Sequence, residues 1–171
     1  VTALVVVSPH LDDGVLSCAG LLRANPQSHV LTVLAGGPSQ INPITGWDRS
    51  CGFNAGDDVL GARRDEDRAA VSELGGDSVQ LGYWDSQYRN TTYDYPGPAG
   101  DALIAEITDS LVEVLAALSP DVVVSRIGIL HEDHRDVALA AFNAASRLPL
   151  EWWVYEDLPY RREFAKDLEA A

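Results

Sequence analysis

The feature that most constrains this chain is the run Val5-Val6-Val7-Ser8-Pro9-His10-Leu11-Asp12-Asp13-Gly14. There an apolar stretch breaks at a proline and delivers a histidine and two adjacent acids. A short, continuous, β-branched run such as Ala3 to Val7 is the signature of a strand buried on both faces. Such strands belong to parallel sheets covered by helices, so the rest of the chain has to alternate strand and helix. It does. Val15 to Arg23 predicts a helix ending near Asn25-Pro26, because the residue before a proline is driven out of the α region. His29 to Ala35 predicts a second strand, and Val59 to Leu74 a charged amphipathic helix closed by Gly75-Gly76. Val79 to Leu81 reads as a third strand. Asp101 is expected to cap a helix whose apolar residues Leu103, Ile104, Ile107, Leu111, Val114, Leu115 and Leu118 recur at helical spacing. Ser119-Pro120 stops it. Asp121 to Ser125 is a fourth strand, 133–146 a helix, Trp152 to Tyr155 a fifth strand and 161–171 a short terminal helix. The polar stretches 36–58 and 82–97 remain as loops, and loops that long in a compact domain are usually functional.

This order predicts an α/β fold, a three-layer Rossmann-like domain with a mostly parallel sheet. The 171 residues suit one domain, read as 1–171, and 46% of them are hydrophobic, enough for a core without staples. A second cluster, His131-Glu132-Asp133-His134, follows the fourth strand 121 positions after His10. In open α/β sheets ligands bind at the carboxyl ends of the strands. The two clusters are therefore expected to face one crevice.

Composition removes whole classes of partner. With 26 acids against 12 bases the net charge is −14, the wrong sign for nucleic acid or an anionic membrane. No segment approaches the ~18–20 apolar residues of a membrane span. The start lacks the basic region and small-residue cleavage site of a signal peptide. Cys18 and Cys51 form no CxxC pair and read as free thiols of a reducing compartment. The expectation is a soluble cytoplasmic protein. Gly36-Gly37 lacks the GxGxxG and GK[ST] patterns, which leaves dinucleotide and P-loop phosphate binding without support.

Histidines and acids at two strand ends have the composition of a hydrolytic zinc site. Such a site takes about three His or Asp/Glu ligands and an open position, with a further carboxylate to accept a proton. Asp12 and Asp13 are adjacent, so one can face a metal while the other faces the pocket. Asp133 is free to orient an imidazole from behind. Either cluster alone also fits an acid-decorated helix N-terminus or a solvated N-cap; together at strand ends they favour the metal. His29 is isolated and reads as structural. Trp152 and Trp153 read as half core and half surface, with sugar stacking the alternative.

The same residues resemble a family. Pro9-His10-Leu11-Asp12-Asp13 and His131-Glu132-Asp133-His134 look like the two signature motifs of the LmbE-like (PIG-L) zinc-dependent de-N-acetylases. Arg63-x-x-Glu66-x-x-x-Ala70-x-x-x-Leu74-Gly75, Leu81-Gly82-Tyr83-Trp84-Asp85 and Tyr155-Glu156-Asp157-Leu158-Pro159-Tyr160 extend the similarity from about residue 3 to 160. The resemblance implies that His10, Asp13 and His134 bind Zn²⁺, with Fe²⁺ or another divalent metal as alternatives. It implies that Asp12 is the general base and that His131 stabilises the oxyanion, tuned by Asp133. Arg63 and Asp85 would hold the sugar or its aglycone. The implied activity is removal of an N-acetyl group from an N-acetylated amino sugar or sugar conjugate, a small-molecule substrate. An amidase for a larger amide, such as a thiol–sugar conjugate, and a catalytically weakened sugar-binding module are the alternatives. Two positions depart from the family pattern: Leu11 stands where proline is usual, and Gly14 where glutamate is frequent. A carboxylate near the ligands is thus missing or supplied from elsewhere.

Overall fold

The computed structural model describes residues 2–89 and 93–158. Its strands are β1 (Leu4–Ser8), β2 (His29–Thr32), β3 (Asp77–Gln80), β4 (Val122–Arg126) and β5 (Glu151–Tyr155). Its helices are α1 (Asp13–Ala24), α2 (Gly46–Ser50), α3 (Val59–Glu73), α4 (Ser86–Arg89), α5 (Asp101–Leu118) and α6 (Glu132–Ala145). The five strands form one sheet in the order β3-β2-β1-β4-β5, and every neighbouring pair is parallel.

Side chains on successive strand residues point to opposite faces, and β1 uses both. Leu4 and Val6 pack with Cys18 and Leu22 of α1 and Val71 of α3. Val5 and Val7 pack with Leu103, Ile107, Leu111 and Leu115 of α5 and with Val137, Ala140 and Ala144 of α6. Each such large side chain contributes about 1.5–3 kcal/mol through burial. The alanines of α6 are small enough to let α5 and α6 lie close together. Helices on both faces of a parallel sheet give the three layers expected from the sequence.

The topology places the site. From β1 the chain steps outward through β2 and β3, then returns to lay β4 against the other side of β1. The connections leaving β1 and β4 diverge, and a crevice opens at their carboxyl ends. Both His/Asp clusters leave the sheet there.

The structure differs from the sequence reading in several details. β2 ends at Thr32 rather than Ala35, because the following residues leave the ladder for isolated bridges, Leu34 with Gly82 and Gly36 with Trp84. At Gly36 a Cβ would lie 2.1 Å from the Gly82 carbonyl oxygen, so only glycine allows that approach. Gly100, at φ 56, takes the N-cap position expected of Asp101, which becomes the first residue of α5. Two short helices, α2 and α4, lie inside stretches expected to be loop. The terminal helix expected over 161–171 lies outside the described residues. Among the described residues no helix is long and apolar enough to cross a membrane. Cys18 is buried and Cys51 exposed, both as free thiols.

Candidate metal centre

The turn after β1 is held by its own side chains. Ser8 Oγ donates to the His10 carbonyl (2.7 Å) and accepts from the Gly14 N–H (2.9 Å). The His10 N–H donates to Asp13 Oδ2 (3.1 Å). This folding forces Asp12 to φ 108, a backbone conformation that costs a non-glycine residue about 1–3 kcal/mol and is found mainly at functional sites. A Cβ at Gly14 would lie 3.0 Å from Val30 Cγ1 and 3.2 Å from Ser8 Cβ. Ser8 and Val30 thus fill the space where the family's glutamate would begin, and glycine is the residue that fits.

Three polar atoms from the two clusters meet beyond the carboxyl ends of β1 and β4. His10 Nδ1 is 3.2 Å from Asp13 Oδ2, His134 Nε2 is 3.3 Å from that oxygen, and the two ring nitrogens are 3.2 Å apart. Metal–ligand bonds of ~2.0–2.1 Å at tetrahedral angles put neighbouring ligand atoms about 3.3–3.4 Å apart. The triangle therefore has the dimensions of one face of a tetrahedral zinc site. Its donors, two imidazoles and a carboxylate, suit zinc or iron. His131 also offers a ring nitrogen within 4.8 Å of those of His10 and His134, and Asp85 and Asp133 approach the far side of His10. We favour the His10–Asp13–His134 set, because its spacings are tighter and His131 Nδ1 is already engaged as the α6 N-cap, accepting from the Asp133 N–H (3.3 Å).

Behind the triangle stands a buried carboxylate. Asp133 Oδ2 is 2.9 Å from His10 Nε2 and accepts from the Ser86 N–H (3.0 Å), while its Oδ1 accepts from Arg89 (2.5 Å). Asp133 is 0% exposed. Its bond to Nε2 leaves Nδ1 of His10 directed into the triangle, the arrangement by which a carboxylate orients a metal-ligating imidazole. The resemblance had paired Asp133 with His131. The carboxylate instead reaches His10, and His131 is met by the Asp133 backbone amide.

The electrostatics divide the groups by role. Burial disfavours charge on His10, but Asp13, Asp133 and Asp85 outweigh it and raise the pKa to about 10. Burial lowers His134 to about 4, despite the pull of Asp13, so this ring is neutral at physiological pH, whereas His10 carries a proton that a bound metal would displace. Burial works against ionisation of Asp13, yet His10, His134 and Arg126 hold it well below the usual carboxylate range. Burial opposes ionised Asp133 too, and His10, Arg89 and the Ser86 amide hold it below that range as well. Asp12 goes the other way: the crowding of protein around its carboxyl, then the charge of Asp13, push it up to about 6. Asp12 retains solvent access, so it combines a raised pKa with an open path to a substrate. Adjacent acids with opposite shifts have different roles to play.

With Nδ1 accepting the N-cap bond, Nε2 is the nitrogen of His131 left to donate. Its ring centroid is 5.3 Å from that of His10 and 4.9 Å from that of His134. Arg63 and Asp85 pair at 3.9 Å, with Asp85 Oδ1 4.0 Å from His10 Nε2. The eight site residues implied by the family resemblance therefore belong to one neighbourhood. Four others were given no role from the sequence. Asp67 is buried, and its carboxylate reaches the Asp12 N–H (3.4 Å), Ser78 Oγ (2.7 Å) and Gln80 Nε2 (2.9 Å). Its signal was available, since it lies between Val59 and Val71 on the buried stripe of α3. Arg89, Arg126 and Asp157 complete the ionic shell, and only Arg126, a charge ending an otherwise uncharged buried strand, stands out in the sequence.

The chain matches the family model described as PIG-L, GlcNAc-PI de-N-acetylase, over residues 5–145. Among solved structures it is similar to the deacetylase of the antimicrobial A40926 pseudoaglycone, with 29% identity, a TM-score of 0.82 and 94% of this chain aligned to 65% of that one. It is also similar to a deacetylase of teicoplanin biosynthesis (31% identity, TM-score 0.80, 94% of this chain and 69% of that one). A zinc-inhibited form of teicoplanin deacetylase aligns with 31% identity and a TM-score of 0.77 over the same shares. This chain thus spans just under two thirds of the length of the A40926 relative. No curated protein sequence matches it.

Proposed function

The chain belongs to the PIG-L (GlcNAc-PI de-N-acetylase) family, and from that premise we propose that it is a zinc-dependent de-N-acetylase. The reaction hydrolyses the N-acetyl amide of an amino sugar, free or carried on a larger conjugate. The observation that carries the proposal is the triangle of His10 Nδ1, Asp13 Oδ2 and His134 Nε2 beside a raised, accessible Asp12. When bound there, a zinc ion would supply Lewis acidity to the amide carbonyl and acidity to water.

The protein side chains have distinct tasks. Asp12, ionised above about pH 6, takes a proton from the attacking water as its oxygen adds to the carbonyl carbon. The same carboxyl then delivers that proton to the nitrogen as the C–N bond breaks, giving acetate and an amine. His131 donates its Nε2 proton in a hydrogen bond to the developing oxyanion, where a preorganised donor is worth most. Asp133 keeps His10 in the correct tautomer. Arg63 and Asp85, charged and paired at the rim, present a donor and an acceptor for sugar hydroxyls. The relatives named for teicoplanin and A40926 support testing a sugar on a glycopeptide-type aglycone first. Free thiols fit a reducing compartment, and the cytoplasm is the location we propose.

The test measures acetate and free amine together, on N-acetylated amino sugars and on an N-acylated glycopeptide, with zinc supplied. Stoichiometric acetate and amine are expected, with the rate lost in Asp12→Asn while metal content stays near one per chain. Full activity in Asp12→Asn would remove Asp12 from the mechanism. Saturable binding of the acetylated sugars with no product at all would favour a sugar-binding module instead.

A further inference from the structure

Arg126 closes β4, a strand buried along its whole length, and is itself 2% exposed. Its guanidinium joins two carboxylates. Nη1 donates to Asp13 Oδ2 at 3.0 Å, Nε donates to Asp157 Oδ2 at 3.0 Å, and Nη2 abuts the other oxygen of Asp157. The Tyr155 ring lies 5.9 Å from Cζ. Asp157 is fully buried, and its Oδ2 is 3.7 Å from His134 Nδ1. The parallel register pairs Arg126 with Tyr155, which brings the residues just after β5 to this point. No step of the proposed hydrolysis uses Arg126. Yet the oxygen it touches, Asp13 Oδ2, is the one that stands between His10 Nδ1 and His134 Nε2.

We propose that Arg126, clamped by Asp157, is a positioning residue that fixes Asp13 Oδ2 and thereby sets the affinity and geometry of the divalent-cation site. The inference rests on reading His10, Asp13 and His134 as the metal cradle. Oδ2 has two fixed donors, the His10 N–H at 3.1 Å and Arg126 Nη1 at 3.0 Å. A carboxylate so held cannot rotate away between binding events. Two effects of opposite sign compete. A guanidinium repels a dication, but it also aims the ligand. Asp157 sits on the same guanidinium and opposes its repulsion of a dication, and on this proposal the aiming effect is the larger of the two.

Removing Arg126 alone would leave a buried, unpaired carboxylate beside His134 and mix the two effects. The informative variant is therefore Arg126→Met with Asp157→Leu, which removes the pair together. Replacing a buried ion pair by apolar side chains is often neutral or stabilising, so folding of the chelator-treated protein should be preserved. Zn²⁺ affinity, read by competition with a chromophoric chelator, should fall by about 10–100-fold, the usual effect of losing a residue that supports a metal ligand. The visible spectrum of the Co²⁺-loaded protein should change with the coordination geometry, which a purely structural role would not move. Arg126→Lys keeps the charge but lacks the planar fork that spans both carboxylates. It should give a smaller loss of affinity with a shifted Co²⁺ spectrum, and it carries the test if the double variant fails to fold. Folded variants with Zn²⁺ affinity within about threefold of the parent and an unchanged Co²⁺ spectrum overturn the proposal, since that is far below the usual loss. A parent protein that binds neither Zn²⁺ nor Co²⁺ overturns the cradle itself, and the two failures are distinct.

Discussion

Asp133→Ala is the substitution whose consequences follow most completely from the structure. The carboxylate is wholly buried and serves Arg89, whose side chain is only 8% exposed, together with the Ser86 amide and His10 Nε2. Deleting it strands a buried guanidinium, and breaking a buried ion pair from one side costs about 3–5 kcal/mol. That is a large part of the ~5–15 kcal/mol that holds a domain folded. At ~2–4 °C per kcal/mol for a chain of this size, the melting temperature should fall by about 6–20 °C. The same substitution frees the His10 ring, and metal affinity should fall by about 10–100-fold. The assay is thermal melting by circular dichroism in chelator, followed by zinc competition on the folded protein. A double variant, Asp133→Leu with Arg89→Met, should recover much of the stability, because it leaves no charge unpaired, but none of the metal affinity. A fall of under 2 °C with unchanged zinc affinity would refute the reasoning, for Asp133 would then hold neither Arg89 nor His10.

Other outcomes follow from the turn and the pKa shifts. Asp12→Gly should abolish deacetylation while stabilising the fold by about 1 kcal/mol, since relief of strain at φ 108 exceeds the added entropy of glycine; a lower melting temperature would refute this. The deacetylation rate should fall as pH drops below about 6, because Asp12 must be ionised to act and its pKa is raised, and a pH–rate profile flat to pH 5 would contradict the assignment. In chelator, the contribution of His10 is complete below its ordinary 6.5 and is lost as pH rises toward about 10. Those of Asp13 and Asp133 are complete above the ordinary carboxylate value and are lost as pH falls below it. Melting temperature in chelator should thus decline on both sides of neutrality. Gly14→Ala should destabilise by about 1–3 kcal/mol through overpacking against Val30 and Ser8, and an unchanged melting temperature would refute this.

What could be read from the sequence was what local chemistry determines. Val5 to Val7 and Val122 to Val124 announce buried parallel strands because no other element tolerates short β-branched runs on both faces. Once these strands are neighbours, His10, Asp13, His131 and His134 have to converge. What escaped notice is held by tertiary contacts. The helices α2 and α4 have five and four residues, too few for a periodic signal. They are pinned by Thr45 capping Asp48 and by the Tyr88 hydroxyl donating to the fully buried Asp48 carboxylate. The pairing of Asp133 with His131 came from the family resemblance, whereas in the structure the turn after β1 brings His10, and α4 brings Ser86 and Arg89, to its carboxylate. Arg126 and Asp157 lie on different strands' ends, and only the parallel pairing of β4 with β5 brings them together.

The most direct test of the account is a crystal structure of the zinc-loaded protein with anomalous data at the zinc edge. One zinc ion per chain is expected, bound by His10 Nδ1, Asp13 Oδ2 and His134 Nε2 at ~2.0–2.2 Å, with Asp12 beside it but not coordinated. A zinc ion held by His131 in place of Asp13, or none within bonding distance of His10 and His134, would contradict it.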